Sequence, residues 1–300
     1  MYKTMPHPKC FFLLKLKLRQ CRFADMKAID HDGHDPIRPP TMTDIRYQAL
    51  AAATAILFFG TAYSVVYNTY LDTSHPVLSH LPHHLASSHY FASKSNPLNV
   101  YFIKYAWGWT TVVFGFTFLT SPSSVRTRDR LFKYLSLTLI WILFINWFFG
   151  PPILERFTVF SGGECIAYLP SGDSLSVPHE FCFTKSTLTP DTHPMFFKGT
   201  VFSSSEVGKK LSVRPRLRKG HDLSGHVFLL TMSILFLADQ LRPSFNQRAS
   251  NNWSPLHAWA IAVQIVIITI CLFALYTTAV YFHNPFEKFT GYRTFSSLTP

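Results

Sequence analysis

Charged residues are scarce in this chain, and acidic ones are the scarcest. Only 15% of its 300 residues are Asp, Glu, Lys or Arg, whereas soluble globular domains carry about 25%. Lys and Arg number 28 against 16 Asp and Glu, which gives a net charge of +12. Hydrophobic residues make up 48% and fall in long blocks, which argues against a soluble domain. Beside such blocks, the basic excess is more typical of cytosolic loops than of a nucleic-acid-binding surface.

Cysteine is also rare, and a secretory signal peptide is missing. Five cysteines are too few for a disulfide scaffold. Cys165 and Cys182 share one long loop, where they are either two free thiols or a pair if the loop lies in an oxidising compartment. The N-terminal "CFFLL" is too short for the apolar core of a signal peptide. We therefore expect the first long apolar run to act as a signal anchor.

Five apolar runs have about the 20 residues that a helix needs to cross a bilayer. They cover residues 47–67, 98–119, 131–150, 223–241 and 258–282. Without water to satisfy the backbone, helices are favoured, since none of the runs shows the period of two that is typical of a barrel strand. The predicted fold class is all-α, a polytopic membrane helix bundle with five evident transmembrane helices.

The distribution of Lys and Arg predicts the orientation of these spans. Residues 1–46 form a basic tail, and the connections 120–130 and 242–257 also carry basic residues, so these three segments should face the cytosol. The long loop 151–222 should face the lumen, together with the first and last connections. This loop ends in the basic run "KKLSVRPRLRKG". Loops longer than about 60 residues are largely exempt from the charge rule, so this charge needs a reason other than topology.

The predicted orientation brings two distant histidines to one face of the membrane. The motif "HDLSGH" places His226 in the first turn of the fourth span, and "YFHNPFEKFTG" places His283 at the exit of the fifth. Lys104 lies near the same level in the second span. Ionisable residues at membrane depth are candidates for function. Two histidines can divide the duties of nucleophile and general acid, whereas a metal site would need third and fourth ligands that the spacing does not supply.

These motifs, with "NPLNVYFIKYAWGWT" upstream, resemble the fat storage-inducing transmembrane (FIT) family over roughly residues 45–291. The resemblance implies a multi-pass protein of the endoplasmic reticulum that cleaves the phosphoanhydride of fatty acyl-CoA on the lumenal side. The products would be acyl 4′-phosphopantetheine and adenosine 3′,5′-bisphosphate, and the activity would support lipid droplet formation and phospholipid metabolism. It implies membrane lipids as partners and no cofactor. The two catalytic positions correspond to His226 and His283.

The family is itself similar to membrane lipid phosphatases of the PAP2 type. By that analogy His283 would attack phosphorus, His226 would protonate the leaving group and Glu287 would orient His283, although the reverse roles of the histidines stay open. The position of the arginine in the third motif of the PAP2-type phosphatases is occupied by Thr277 here, so the phosphate-binding cation must come from elsewhere. Supporting residues would be Asp222, Ser224, Gly225 and Glu287, and candidate phosphate ligands are Lys104, Arg218, Lys219 and Lys288.

The family usually has a sixth span, and here only a short tail, residues 292–300, follows the membrane domain of residues 47–291. A truncated sequence is therefore one expectation. The alternative function is a non-catalytic protein that binds neutral lipid or diacylglycerol and promotes droplet budding. A binding protein of that kind has no use for two matched histidines. A transporter would show repeats or broken spans in matching positions, and the sequence shows neither.

Overall fold

A computed structural model describes residues 44–71, 83–145, 151–169, 173–197, 212–218, 220–221, 223–246 and 253–296. The helices are α1 (Ile45–Val66), α2 (Ala106–Thr120), α3 (Arg128–Ile145), α4 (Ile153–Phe160), α5 (His179–Phe183), α6 (Gly225–Asn246), α7 (Pro255–Tyr281) and α8 (Pro285–Ser296). The strands are β1 (Glu164–Tyr168), β2 (Ser174–Ser176) and β3 (Arg216–Arg218).

Three helices in the described part of the chain, α1, α6 and α7, are long and apolar enough to cross a membrane. The predicted span 98–119 is helical but not uniform, because a π-helical turn over Leu98–Phe102 and a 3₁₀ turn over Ile103–Tyr105 precede α2. The predicted span 131–150 overlaps α3, whose first turns carry several charges, and residues 146–150 lie outside the described ranges. The helical bundle is thus confirmed, and the count of five spans stays a prediction.

Small residues let α1 and α7 approach closely. A Cβ on Gly60 of α1 would lie 2.8 Å from the Cβ of Ala279. Neighbouring Ala53, Leu57 and Ala274 are buried in the same core. Close approach over small residues is the usual basis of helix packing within membranes.

A buried amide joins three of the helices. Gln264 of α7 is fully buried, and its Nε2 donates to the carbonyl of Leu237 in α6 at 2.7 Å. Its Oε1 accepts from Thr117 Oγ1 of α2 at 2.6 Å. Because both ends of the amide are bonded, the polar group can lie in the core at little cost.

The helices alternate in direction, and one end of the bundle collects the ends of α1 and α7 with the start of α6. Thr69 Oγ1, just after α1, donates to the carbonyl of Val280 at 2.9 Å, and the amide of Leu71 donates to Tyr281 O at 3.1 Å. The amide of Ser224, just before α6, donates to Glu287 O at 3.3 Å. We call this the histidine end, because His226 and His283 belong to these segments.

The long loop between α3 and α6 is not structureless. Strands β2, β1 and β3 form an antiparallel sheet in that order, with Glu164 opposite Arg218. Cys165 of β1 and Cys182 of α5 form a disulfide with an S–S distance of 2.02 Å. Both sit in an apolar cluster with Leu188 and Val213. We call the described residues from 151 to 218, which include α4, the sheet and α5, the loop subdomain.

The all-α expectation therefore needs a correction within this loop, since it contains a small sheet. The strands have only three to five residues each. Segments of that length show too few alternations for periodicity to predict them. The open question about the two cysteines is answered by the disulfide.

Candidate active site

The motif Ser224-Gly225-His226 forms the start of α6. Ser224 is the N-cap, because its Oγ accepts from the amide of Val227 at 3.4 Å and its carbonyl from the amide of Phe228 at 3.1 Å. His226 is therefore the second residue of the helix, where backbone amides point outward and the helix dipole favours anions. Its side chain is partly buried.

The segment His283-Asn284-Pro285 connects α7 to α8 with a sharp turn. The φ of His283 is +59°, a left-handed conformation that is uncommon for residues other than glycine. Asn284 and Glu287 then cap α8 reciprocally: Asn284 Oδ1 accepts from the amide of Glu287 at 2.9 Å, and Glu287 Oε2 accepts from the amide of Asn284 at 3.2 Å. Backbone strain of this kind persists where the surrounding structure enforces it, often at functional sites.

The same carboxylate oxygen contacts the ring of His283. Glu287 Oε2 lies 3.2 Å from His283 Nδ1, and the Glu287 side chain is only 2% exposed. An ionised carboxylate can only accept a hydrogen bond, so this contact favours the tautomer whose proton is on Nδ1 and whose lone pair is on Nε2. The same oxygen of Glu287 thus caps α8 and contacts the imidazole ring.

Close backbone packing joins the two histidine segments. A Cβ on Gly291 of α8 would lie 2.7 Å from the carbonyl oxygen of Ser224, so a larger residue at 291 would push α8 away from the start of α6. With the hydrogen bond from Ser224 to Glu287, this contact brings His226 near His283. The side chains of His283 and Lys104 both lie near enough to the His226 ring to interact with it electrostatically.

The predicted phosphate ligands lie on different elements of the structure. Lys104 lies exposed in the 3₁₀ turn before α2, near His226. Arg218 lies on β3 of the loop subdomain. Lys219 and Asp222 lie outside the described residues.

Lys288 is buried, and its ammonium group already donates hydrogen bonds within the protein. Its Nζ donates to the carbonyl of Ala279 at 2.6 Å and to Ser64 Oγ at 3.0 Å, and it lies 5.5 Å from the centre of the Tyr70 ring. Burial lowers the pKa of Lys288 to about 7, although neighbouring Glu287 acts in the opposite direction. These contacts tie α8 to α1 and α7.

Three residues at the histidine end were not predicted from the sequence. Asn284 could have been found, since an Asn followed by Pro and by Glu three residues on is the signature of a capped helix start. His221 places its Nε2 2.8 Å from Thr290 Oγ1 on α8. Ser64 carries no such signal, because its role depends on Lys288, which is 224 residues away.

Two cavities meet near α4, which lies against the start of α6. One of about 420 Å³ is lined by basic residues of the loop subdomain, and the other, of about 430 Å³, is mainly apolar and includes Phe144, Phe157 and Leu223. Leu154 of α4 lines both. Its Cδ1 would lie 3.5 Å from a Cβ on Gly225, the residue before His226.

The part of the chain that carries the two histidines is similar in sequence to known proteins. The family model described as fat storage-inducing transmembrane protein matches residues 87–258 and 244–297. The acyl-coenzyme A diphosphatase fit1 of Schizosaccharomyces pombe is 31% identical over 204 residues, covering 68% of each chain. The acyl-coenzyme A diphosphatase FITM2 of Xenopus tropicalis is 29% identical over 211 residues, covering 67% of this chain and 66% of its own.

The zebrafish (Danio rerio) protein of the same name is 28% identical over 211 residues, covering 69% of this chain and 70% of its own. No solved structure matches. The matched residues include both histidine segments and the helices that carry them. The chain belongs to the fat storage-inducing transmembrane protein family.

Proposed function

We propose that this protein is a fatty acyl-CoA diphosphatase that cleaves the phosphoanhydride to acyl 4′-phosphopantetheine and adenosine 3′,5′-bisphosphate. The observation that carries the proposal is the contact of Glu287 with His283 beside a second histidine, His226, at a helix start. Relatives named acyl-coenzyme A diphosphatase support the substrate. The apolar cavity next to α6 supports a substrate with a fatty chain.

In the proposed mechanism His283 is the nucleophile. Its Nε2 attacks one phosphorus of the anhydride, forming an N–P bond while the bond to the bridging oxygen breaks. Glu287 holds the Nδ1 proton and stabilises the imidazolium that develops. Water then hydrolyses the phosphohistidine and frees the ring.

His226 is the proposed general acid. Its proton goes to the bridging oxygen as the phosphate monoester leaves, and the ring then takes a proton from the attacking water. The first-turn amides of α6 and the cation of Lys104 stabilise the charge that develops on the phosphoryl oxygens. Arg218 and Lys219 are proposed to help bind phosphate and Asp222 to support the site, whereas Lys288 acts indirectly by fixing α8.

We further propose an endoplasmic reticulum protein with five spans, a cytosolic N-terminus, a lumenal active site and a PAP2-like arrangement of its two histidines. The disulfide between Cys165 and Cys182 supports the orientation, because such bonds persist in the oxidising lumen and are rare in the cytosol. The loop subdomain that carries it lies against the histidine end through α4 and Leu154. Removal of acyl-CoA there would support lipid droplet formation, phospholipid metabolism and homeostasis of this membrane.

Hydrolysis by the purified full-length protein tests the proposal. Oleoyl-CoA should yield acyl 4′-phosphopantetheine and adenosine 3′,5′-bisphosphate by mass spectrometry, and His283→Ala should yield neither. Free oleate and CoA would instead indicate a thioesterase. Protein that is folded by circular dichroism but releases no product would contradict the proposal.

The apolar cavity also fits a neutral lipid, which keeps a non-catalytic lipid-binding function as the second candidate. The two functions predict different behaviour of His283→Ala in cells that lack the natural protein. A diphosphatase variant without activity should fail to restore lipid droplets. A lipid-binding protein should restore them, because this substitution does not touch the cavity.

A further inference from the structure

The basic run of the long loop has a regular alternation. In residues 213–218, Val213 and Pro215 are buried and Leu217 packs on the core, whereas Arg214 and Arg216 are exposed. Side chains of an extended chain point alternately to opposite faces. Arg214, Arg216 and Arg218 are therefore directed to one face, away from the core of the loop subdomain.

These three arginines share a cavity with a fourth cation. The cavity of about 420 Å³ is lined by Arg214, Arg216, Arg218 and Lys185, and Glu155 is the one acidic residue among the described residues that line it. Glu164 lies opposite Arg218 in the sheet register. Among the described residues the cations are in excess even with both carboxylates counted, and a cleft with charges of one sign attracts ligands of the other.

Two neighbouring groups report the positive potential and the burial of this region. The Lys94 side chain is exposed, and its pKa is lowered by desolvation and by the charges of Arg218 and Arg216. Burial raises the pKa of Glu155, against the effect of Lys185, and its buried Oε2 has no hydrogen-bond partner. A multiply charged anion would relieve the repulsion among the cations.

The position of the cavity relative to the histidines matches the order of groups in acyl-CoA. Leu154 lines both the basic cavity and the apolar one and lies against Gly225, next to His226. A substrate with its nucleotide in the basic cavity and its acyl arm toward the apolar side would carry its phosphoanhydride past the start of α6. Adenosine 3′,5′-bisphosphate is the end with the greater charge.

We propose that the basic cavity formed by Lys185, Arg214, Arg216 and Arg218 binds the adenosine 3′,5′-bisphosphate end of acyl-CoA and selects CoA esters through the 3′-phosphate. This inference rests on the proposed function for the identity of the substrate. It gives the charge of the long loop a role in specificity. Glu155 limits the affinity for the nucleotide, since its carboxylate repels phosphate.

Equilibrium binding of adenosine 3′,5′-bisphosphate to the full-length protein in detergent tests the cavity without any turnover. Arg216→Gln should weaken binding about tenfold, as expected for the loss of one charged hydrogen bond, and Arg214→Gln provides a second, independent variant. Glu155→Gln should tighten binding. Arg156 lies on α4 beside Glu155 but does not line the cavity. Arg156→Gln is therefore the control, and its affinity for adenosine 3′,5′-bisphosphate should equal that of the wild type.

Kinetics with two substrates separate this inference from the proposed function. Wild-type protein should show a higher KM for oleoyl-3′-dephospho-CoA than for oleoyl-CoA, and Arg216→Gln should raise the KM for oleoyl-CoA alone while kcat is retained. Unchanged KM and unchanged nucleotide affinity in both arginine variants, with normal hydrolysis, would overturn the inference and leave the function standing. Nucleotide binding by this cavity without any hydrolysis would support the cavity's role and contradict the proposed function.

Lipid headgroups carry the same phosphate chemistry, so the binding experiment includes them. Nanodiscs containing phosphatidic acid should displace the nucleotide no better than nanodiscs containing neutral lipid. Displacement by phosphatidic acid that is lost in Arg216→Gln would assign the cavity to a lipid headgroup and overturn the inference.

Discussion

At the scale of residues, one carboxylate oxygen links the geometry of the backbone to the chemistry of the site. Glu287 Oε2 caps α8 by accepting a hydrogen bond from the amide of Asn284, and it also accepts one from Nδ1 of His283. The strained turn at His283 is held between this cap and the end of α7. A substitution can therefore separate the structural task of the cap from the orientation of the ring.

Glu287→Gln should reduce kcat by about 10²-fold or more with little change in KM, because the neutral amide no longer fixes the tautomer or stabilises the imidazolium. Asn284→Ala is the matched control, since it removes the other half of the cap. It should cost about 1 kcal/mol of stability and retain most of kcat. Steady-state hydrolysis of oleoyl-CoA measures both; equal kcat losses would show that the carboxylate acts only through the helix.

The buried ammonium of Lys288 predicts a dependence of stability on pH. Its folded pKa of about 7 lies below the value of about 10.4 expected in the unfolded chain. Between these values the unfolded state binds more protons, so stability should rise with pH from 7 to 9. Lys288→Met should lose that rise in the thermal midpoint measured by tryptophan fluorescence.

Lys133→Met is the control for this experiment, because Lys133 is exposed and pairs with Asp239 at the other end of the bundle. It should keep the pH dependence of the wild type. If Lys288→Met also kept it, the buried ammonium would not be its source.

At the scale of elements, the approach of α1 to α7 sets the position of Ser64, which holds Lys288. Gly60→Val should lower stability by about 1–3 kcal/mol, as for other overpacked contacts, because its Cβ alone would come within 2.8 Å of Ala279. Gly115→Val in α2 is the matched control, since a Cβ there has no neighbour within 4 Å. Thermal unfolding distinguishes them, and equal losses would contradict the close approach.

The disulfide between Cys165 and Cys182 should stabilise the loop subdomain. The bond closes a separation of 17 residues, and a loop of about this length is worth about 3 kcal/mol. Replacing Cys165 and Cys182 with alanine should increase proteolysis within residues 164–197, while Cys271→Ala, in the buried core of the bundle, should not. Because Cys182 also lines the basic cavity, affinity for the nucleotide should fall too; an unchanged cleavage pattern would contradict this role.

At the scale of the whole molecule, the sequence predicts what depends on local pattern. Apolar length predicted α1, α6 and α7, and the charge of the loops together with the two motifs predicted that His226 and His283 lie at one end. The loop subdomain was missed because its short strands are held by a disulfide and by pairing of residues about 50 apart, such as Glu164 with Arg218. The anchoring of Lys288 depends on contacts between segments distant in sequence, which no single pattern contains.

The proposed mechanism requires that the two histidines act as a unit. The direct measurement is kcat/KM for oleoyl-CoA of the wild type, His226→Ala, His283→Ala and the double variant, with folding confirmed for each. Groups that act together show strongly non-additive losses, so each single variant should lose nearly as much activity as the double variant. Substantial turnover in either single variant, or losses that multiply in the double variant, would contradict a shared catalytic site at the start of α6 and the end of α7.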